Sequence, residues 1–342
     1  MRTVIVAEAG VNHNGSVETA LRLVGAAAEA GADMVKFQAF RAVRVAAASA
    51  PVAAYQRADG GGASSQLRML QRLELSYADY AEIASFCAEK GIEFLATPFD
   101  EESVDMLCSL GVRVLKIPSG EITNRPLVQY MASKSVPLIL STGMSCLGEI
   151  EKAIGWIREL WEPAGAVHEL TLLHCTSSYP APFGEVNLLA MKTLEAAFGL
   201  PVGYSDHTPG TEVAVAAVAL GARVIEKHLT LDRDAAGPDH RSSLEPREFR
   251  ALVEAVRNVE AALGDGSKRA AASEADVKAA ARRSLVTTRD IRAGEVLGDA
   301  DVVPKRPGVG IPPEFKSVVV GLEVKREIAA DSVIRWEDFK DA

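Results

Sequence analysis

VGYSDHTPGTEVAVAAVALGARVIEKHLTLDRDAAGPDH, residues 202–240, contains two short apolar runs separated by an alanine-rich segment. The first run ends in SDH (205–207) and the second in EKH (226–228). This pattern predicts a strand, a helix and a second strand, a unit that places its two strands parallel and side by side. Because alternate residues of a strand share a face, we expect His207 and His228 at the same end of one sheet, where the active sites of such folds lie.

The alternation of strand and helix extends over most of the chain. Eight strand patterns, beginning with TVIVAEA (3–9), are each followed by a helical pattern, and the last helix is predicted near residues 246–263. Ser16 is expected to cap the first helix and Gly31 to end it. Eight βα units in roughly 250 residues predict an α/β fold of the (β/α)₈ TIM-barrel type rather than an open doubly wound sheet.

Two segments depart from this alternation. Residues 39–76 form a long connection with the flexible run ADGGGASSQ (58–66), which makes this segment a candidate lid over the site. Beyond the last helix, residues 266–283 predict a linker, and residues 284–342 contain short β-like runs broken by Gly and Pro. We therefore predict a barrel domain over residues 1–265, followed by a small, mostly β domain that needs a packing partner because of its size.

Composition argues against several classes of function. The 342 residues carry a formal net charge of −9, whereas binding a nucleic acid backbone requires a concentrated basic face. The chain shows neither a long uncharged apolar run nor a signal-peptide pattern, so we expect a cytoplasmic protein that does not enter a membrane. Its four cysteines lack CxxC spacing, which favours reduced thiols over disulfides or structural zinc.

Polar side chains collect at the carboxyl ends of the predicted strands. They are Glu8, Lys36, Gln38, Thr97, Lys116, Ser119, Glu121, Ser141, Ser177, Tyr179, Ser205, His207 and His228. A barrel brings these positions to one mouth, where two lysines and several hydroxyls suit a phosphate or a phosphorylated acid. Two simpler explanations stay open: the hydroxyls cap turns and helices, and the lysines form structural ion pairs with Glu8 or Glu121.

The two histidines predict a metal site. Two imidazoles leave several coordination positions for water and substrate, which suits an Mn²⁺ or Mg²⁺ ion acting as a Lewis acid on an aldehyde oxygen better than a closed zinc site. Asp239 and His240, in the loop after the last strand, are expected to add water-mediated or sugar contacts. The alternative is that His207 and His228 are ordinary polar residues at strand ends.

The chain also carries an ordered set of motifs: AEAGVNHNGS, VKFQ, ATPFDEESVDML, KIPSGEITN, LSTGM, HCTSSYPAP, GYSDHT, EKHLTLDR and GPDHRSSLEP. These motifs resemble those of the sialic acid synthase family, whose members condense phosphoenolpyruvate with an N-acylated hexosamine to form nonulosonic acids. The tail motifs IRAGEVL and KRPGVGIPP resemble the antifreeze-like SAF domain that ends those enzymes. The resemblance covers nearly the whole chain.

The resemblance implies roles for individual residues. The metal would be bound by His207 and His228. Phosphoenolpyruvate would be held by Lys36, Thr97, Lys116, Ser119, Ser141, Ser177 and Ser205. The open-chain sugar would be held by Glu8, Gln38, Glu121, Tyr179 and Asp239, and by Arg306 from the partner in a domain-swapped homodimer. Ser177 departs from the Asn of some members, although a serine hydroxyl can still donate a hydrogen bond to phosphate.

The resemblance also implies a reaction. Phosphoenolpyruvate would attack the aldehyde of N-acetylmannosamine, water would add, and phosphate would leave to give N-acetylneuraminate. Glu121 is the hypothesised acid/base, with Glu8 as the second catalytic carboxylate. The main alternative is N,N'-diacetyllegionaminate synthesis from 2,4-diacetamido-2,4,6-trideoxymannose.

More distant alternatives belong to other classes. They are a metal-dependent pyruvate aldolase, an enzyme that forms a Schiff base on Lys227 or Lys116, and a sugar-binding protein without catalysis.

Overall fold

A computed structural model describes residues 2–52, 65–162 and 168–340. The chain divides into two compact units, Met1–Gly264 and Asp265–Ala342. The strands of the first unit are β1 (Val4–Gly10), β2 (Met34–Ala39), β3 (Glu93–Pro98), β4 (Leu115–Ile117), β5 (Leu138–Ser141), β6 (Leu170–Cys175), β7 (Val202–Asp206) and β8 (Val224–His228). Its described α-helices are α1 (Val17–Ala30), α2 (Ala42–Val45), α3 (Gln66–Leu73), α4 (Tyr77–Lys90), α5 (Glu101–Ser109), α6 (Arg125–Ala132), α7 (Leu147–Trp161), α8 (Ala190–Phe198), α9 (Glu212–Ala219) and α10 (Pro246–Leu263).

The strands of the first unit form a parallel barrel. Their order in the hydrogen-bonded sheet is β3-β2-β1-β8-β7-β6-β5-β4. The two end strands, β3 and β4, lie beside each other and so close the ring. Outward-facing residues such as Ile5 and Ala7 belong to the large apolar core that the surrounding helices share. The predicted (β/α)₈ barrel is confirmed.

Inside the barrel, an apolar floor lies beneath a polar layer. Val6, Leu95, Ile139, Leu173 and Val224 pack together to form the floor. Because strand side chains alternate between two faces, the next inward position on each strand lies two residues nearer the carboxyl end. Those next positions are Glu8, Lys36, Thr97, Lys116, Ser141, Cys175, Ser205 and Glu226. The polar layer is therefore a direct consequence of strand periodicity.

The first helix begins and ends where the sequence predicts. The hydroxyl of Ser16 accepts a hydrogen bond from the backbone N–H of Thr19 at 3.2 Å, which caps α1. Gly31 follows the helix in a left-handed conformation with φ of 85°, which favours glycine. Both predictions are confirmed.

The long connection between β2 and β3 is more regular than its sequence suggests. Helices α2 and α3 lie in it. Glu74, just after α3, accepts hydrogen bonds from the Arg41 guanidinium and from the backbone N–H of Ala42, and so joins the end of α3 to the start of α2. Most of the ADGGGASSQ run lies outside the described residues, so the lid stays a prediction.

The second unit has its own small core. Strands β9 (Ser284–Thr287) and β10 (Val302–Lys305) pair antiparallel, and helices α11 (Ala275–Ala281) and α12 (Lys316–Val319) belong to the same unit. Apolar residues including Leu285, Val302 and Ile334 are buried together. The segment predicted as a linker thus contains the short helix α11.

The cysteine pattern agrees with reduced thiols. All four cysteines, Cys87, Cys108, Cys146 and Cys175, are free. In the part of the chain that the structure describes, no helix is long and apolar enough to cross a membrane. The cytoplasmic location stays a prediction.

Candidate active site

A cavity of about 390 Å³ opens at the carboxyl ends of the barrel strands. Thirteen of the residues predicted for the site line it: Glu8, Lys36, Gln38, Thr97, Lys116, Ser119, Ser141, Ser177, Tyr179, Ser205, His207, His228 and Asp239. They come from every strand of the barrel or from the loop that follows it, so closure of the ring brings together residues that are remote in sequence.

A network of buried charges forms the base of the cavity. The Lys36 Nζ lies 2.9 Å from Glu8 Oε2 and 3.6 Å from Glu226 Oε2. The Lys116 Nζ lies 3.6 Å from the other oxygen of Glu226, Oε1. All four side chains are almost fully buried, and their formal charges cancel. Lysines without such partners would be costly to bury in the barrel.

Hydroxyl groups add hydrogen bonds to this network. Lys36 donates to Thr97 Oγ1 at 3.0 Å, and Lys116 donates to Ser141 Oγ at 2.7 Å. The Ser205 hydroxyl donates to Glu226 Oε1 at 2.9 Å. The hydroxyls therefore hold the ammonium and carboxylate groups in place rather than capping helices.

The protonation of the two buried carboxyls differs. Burial raises the pKa of Glu226, but the charges of Lys116 and Lys36 outweigh this effect and hold its pKa at about 2. For Glu8, burial outweighs the charge of Lys36, and the pKa is raised above its usual value. Glu226 therefore remains the ionised partner of both lysines, while Glu8 is better able to exchange a proton.

A small cradle of polar groups lies near Lys116, where the loop after β5 contacts residues at the ends of β4 and β6. The backbone N–H of Gly143 donates to Ser119 Oγ at 3.0 Å. A Cβ at Gly143 would lie 2.3 Å from Ser177 Oγ, 2.8 Å from Ser119 Oγ and 2.9 Å from Cys175 Sγ. The absence of a side chain at Gly143 thus lets these two hydroxyls and the thiol pack directly against the loop, near the Lys116 ammonium group.

The two predicted metal ligands face each other across the ends of β7 and β8. Their ring centroids are 5.4 Å apart. The Nδ1 of His207 donates to the carbonyl of Thr176 at 2.7 Å, which leaves Nε2 as the unprotonated nitrogen. Burial lowers the pKa of both imidazoles and favours the neutral form, which is the form that binds metal.

These residues fit a divalent ion with open positions. The Nδ1 of His228 is buried without a hydrogen-bond partner and lies 3.8 Å from Asp239 Oδ2. An unpartnered buried nitrogen is costly, and a bound ion would remove that cost. In the described ranges no three His, Cys, Asp or Glu side chains form a metal-binding group, so water and substrate would supply further ligands.

A third group of polar side chains gathers around Gly10. A Cβ there would lie 3.2 Å from Glu8 Oε1 and 3.4 Å from both Gln38 Nε2 and Asp239 Oδ2. Gln38 also donates to Glu8 Oε1 at 3.3 Å. The ring of Tyr179 lies 4.2 Å from that of His207, so the polar group continues to the histidines.

Two predicted residues are placed elsewhere. Glu121 is not among the described residues that line the cavity, and its carboxylate accepts a hydrogen bond from the amide of Asn124 at 2.7 Å. Arg306 belongs to the second unit, where its Nε donates to the carbonyl of Ala281. Their catalytic and sugar-binding roles stay predictions.

Sequence reasoning missed Glu226 as a member of the site. Glu226 lies two residues before His228 and so shares its strand face, but sequence reasoning proposed only Glu8 and Glu121 as partners of the lysines. The adjacent Lys227 is fully buried and donates to Asp206 Oδ2 at 2.8 Å. Lys227 is also absent from the described lining of the cavity, which disfavours it as a Schiff-base nucleophile. The alternation of the EKH motif was the signal that could have identified Glu226.

Comparisons with known proteins agree over nearly the whole chain. The NeuB family model matches residues 23–268, and the SAF domain model matches residues 282–340. The chain is 46% identical to N,N'-diacetyllegionaminic acid synthase of Legionella pneumophila, covering 99% of this chain and 95% of that protein. It is also 46% identical to the enzyme of the same name from Campylobacter jejuni, covering 98% and 99%.

A solved structure supports the same relationship. The N-acetylneuraminic acid synthetase of Leptospira borgpetersenii superposes with a TM-score of 0.69 at 35% identity. The superposition covers 81% of this chain and 90% of that one.

Glu226→Gln should destabilise the protein, because it leaves Lys36 and Lys116 with one fewer negative partner in the interior. We expect a loss of about 3–5 kcal/mol in the free energy of unfolding near neutral pH, measured by chemical denaturation. The pKa of Glu226 is lowered from 4.5 to about 2, so its stabilisation is present above pH 4.5 and is lost as the pH falls toward 2. The difference between wild type and variant should narrow over that range.

The matched control is Glu151→Gln on the exposed face of α7. This change should leave stability within about 0.5 kcal/mol of wild type. A Glu226→Gln variant as stable as this control would show that the network does not depend on Glu226.

Proposed function

The chain belongs to the NeuB family of phosphoenolpyruvate-dependent synthases that form carbon–carbon bonds, and we propose that it is an N,N'-diacetyllegionaminate synthase. Its acceptor would be 2,4-diacetamido-2,4,6-trideoxymannose. The main support is the convergence of two lysines, a hydroxyl cradle and two histidines in one cavity. Of the two acceptors considered from the sequence, the relatives at 46% identity favour this one over N-acetylmannosamine.

Phosphoenolpyruvate would occupy the side of the cavity near β4, β5 and β6. Lys116 and the cradle at Gly143 offer a cation and hydroxyl donors for phosphate oxygens. Lys36, which lies near the other carboxylate oxygen of Glu226, offers a second cation. Residues proposed to contact phosphoenolpyruvate are Lys36, Thr97, Lys116, Ser119, Ser141, Ser177 and Ser205. The preset charges would stabilise phosphate as it leaves.

A divalent ion, Mn²⁺ or Mg²⁺, would be held by His207 and His228. When bound, such an ion would polarise the aldehyde oxygen of the sugar and make its carbon a better electrophile. The hydrogen bond from His207 to Thr176 orients one imidazole. Asp239, near His228, would accept hydrogen bonds from the sugar or from water.

The proton-transfer groups would be carboxylates. The methylene carbon of phosphoenolpyruvate forms a bond to the aldehyde carbon, water adds at the carbon that bears the phosphate, and phosphate departs. The new alkoxide must gain a proton and the attacking water must lose one. Glu121 is the proposed acid/base, and Glu8, whose raised pKa suits proton exchange, is the second candidate.

The assembled enzyme would be a cytoplasmic homodimer. In this proposal the second unit of one subunit covers the barrel of the other, and Arg306 reaches the acyl group of the sugar. Support comes from the SAF match over residues 282–340 and from the small size of that unit.

Phosphate release should require the correct acceptor and a metal ion. With phosphoenolpyruvate and Mn²⁺, we expect faster release with 2,4-diacetamido-2,4,6-trideoxymannose than with N-acetylmannosamine, and loss of activity with EDTA. A preference for N-acetylmannosamine would make the protein a sialic acid synthase. Product formation from free pyruvate without phosphate release would support the aldolase alternative.

Gly143→Ala should weaken binding of phosphoenolpyruvate, because the added methyl group would collide with the hydroxyls of Ser119 and Ser177 and displace them. We expect KM for phosphoenolpyruvate to rise on the order of tenfold to a hundredfold, with little change in KM for the sugar. Gly148→Ala, where a Cβ meets nothing within 4 Å, is the control and should leave both constants unchanged. An equal rise in KM for both substrates would show that the cradle is not part of the phosphate site.

Glu121→Gln should abolish turnover while phosphoenolpyruvate still binds, because it removes a proton-transfer group without altering the lysine network. The expected loss in kcat is roughly a hundredfold or more, measured by phosphate release, with binding followed by thermal shift. Glu8→Gln should instead affect both kcat and phosphoenolpyruvate binding, because Glu8 pairs with Lys36. Unchanged turnover in Glu121→Gln would assign the proton transfer to Glu8.

A further inference from the structure

One wall of the cavity is apolar, in contrast to the charged base and the polar groups around Gly10. We call it the apolar wall and define it by its lining residues Val11, Met69, Leu70, Leu73 and Phe99. The roles proposed above for phosphate, metal and proton transfer use none of these side chains. Apolar surface in a sugar site indicates that part of the ligand is itself apolar.

The wall is built by the amphipathic helix α3. Gln66, Met69, Leu70 and Leu73 all line the cavity and are spaced as one face of a helix. On the opposite face, Arg68, Gln71 and Arg72 are exposed. The face of α3 that lines the cavity is therefore apolar apart from Gln66.

The helix is held in place at its carboxyl end. Glu74 accepts hydrogen bonds from the Arg41 guanidinium at 2.8 Å and from the backbone N–H of Ala42 at 2.9 Å. Leu73 is buried in a cluster with Val11 and Phe40. Met69, Leu70 and Phe99 pack on that cluster but remain only partly buried. These three side chains therefore offer apolar surface to a ligand.

The order of the strands places the wall along β1 to β3, on the side of the histidines that faces away from β6. The phosphate cradle lies at β4, β5 and β6, and the histidines lie at the ends of β7 and β8. Val11 follows β1, α3 lies between β2 and β3, and Phe99 follows β3. A sugar whose aldehyde is at the histidines and whose hydroxyls meet Glu8 and Gln38 would direct its carbon 6 toward this wall.

We propose that Met69, Leu70 and Phe99 form a subsite for the C6 methyl group of the acceptor and select a 6-deoxy sugar over one with a C6 hydroxyl. This inference rests on the proposed function and extends it to the residues that distinguish the two acceptors. A methyl group gains by leaving water for apolar surface. A hydroxyl loses hydrogen bonds to water that thioether, alkyl and phenyl groups do not replace.

An apolar subsite can prefer a 6-deoxy sugar over its C6-hydroxyl counterpart only by a limited factor. Adding or removing one small group in an apolar pocket changes kcat/KM by about 10–200-fold. We therefore expect the wild-type protein to prefer a 6-deoxy acceptor by at least about tenfold. A site built to hydrogen-bond a C6 hydroxyl would instead favour the sugar that carries it, and by a much larger ratio.

The test compares N-acetylmannosamine with its 6-deoxy analogue, which differ only at C6, beside 2,4-diacetamido-2,4,6-trideoxymannose. Phosphate release gives kcat/KM for each sugar in the wild type, Met69→Gln and Leu70→Asn. Both substitutions approximately conserve size and introduce an amide that can bond a hydroxyl. We expect each variant to lower the 6-deoxy preference at least about fivefold, while KM for phosphoenolpyruvate is unchanged.

Gln71→Asn, on the exposed face of α3, is the matched control and should retain the wild-type ratio. Thermal unfolding midpoints check that each variant is folded, and two separate variants protect the test against misfolding of one. A 6-deoxy preference that survives both folded variants would overturn the subsite. No activity of the wild type with the trideoxy sugar would instead overturn the proposed function. The comparison of N-acetylmannosamine with its 6-deoxy analogue would still test the apolar wall.

Discussion

The cavity depends on the pairing of Glu226 with two lysines inside the barrel. Glu226 comes from β8, whereas Lys36 and Lys116 come from β2 and β4. Each lysine lies 3.6 Å from one oxygen of this carboxylate. Without it, two ammonium groups would share a buried space with only Glu8 as a counter-charge. The charge at the base of the site therefore exists only because the sheet closes into a ring.

This network explains how an acidic protein can offer a cationic surface to a phosphorylated acid. The lysines have their counter-charges beside them in the same polar layer, and the cradle at Gly143 supplies hydroxyls at the side. An anion that enters can compete for the ammonium groups. When no anion is bound, the carboxylates compensate the charge of the lysines. The same arrangement gives the two carboxyls different protonation. The lysines keep Glu226 ionised, whereas burial raises the pKa of Glu8.

The surroundings of the base divide the cavity into regions of different chemistry. Cationic groups and hydroxyls lie near β4 to β6, neutral imidazoles lie at β7 and β8, and polar and apolar surfaces meet above β1 to β3. A ligand that bridges these regions must be anionic at one end and mixed polar and apolar at the other. Family membership gives the class of reaction, and the distribution of side chains around the ring bears on which sugar is used.

The sequence by itself determined the barrel and most of its mouth. Repeated strand and helix patterns predicted eight units, and the two-residue period of strands placed Glu8, Lys36 and His228 at one end. Ser16 and Gly31 acted locally, so their roles could be read from neighbouring residues alone. Such features depend on short-range geometry.

Only the tertiary structure decided which of these residues contact one another. It paired the lysines with Glu226 rather than Glu121, which bonds Asn124, and it buried Lys227 against Asp206. It also showed that α3, which sequence reasoning treated as part of an irregular connection, lines the cavity with apolar side chains. These contacts join residues that are far apart in the chain, and their distances follow from ring closure and helix packing, which no local pattern encodes.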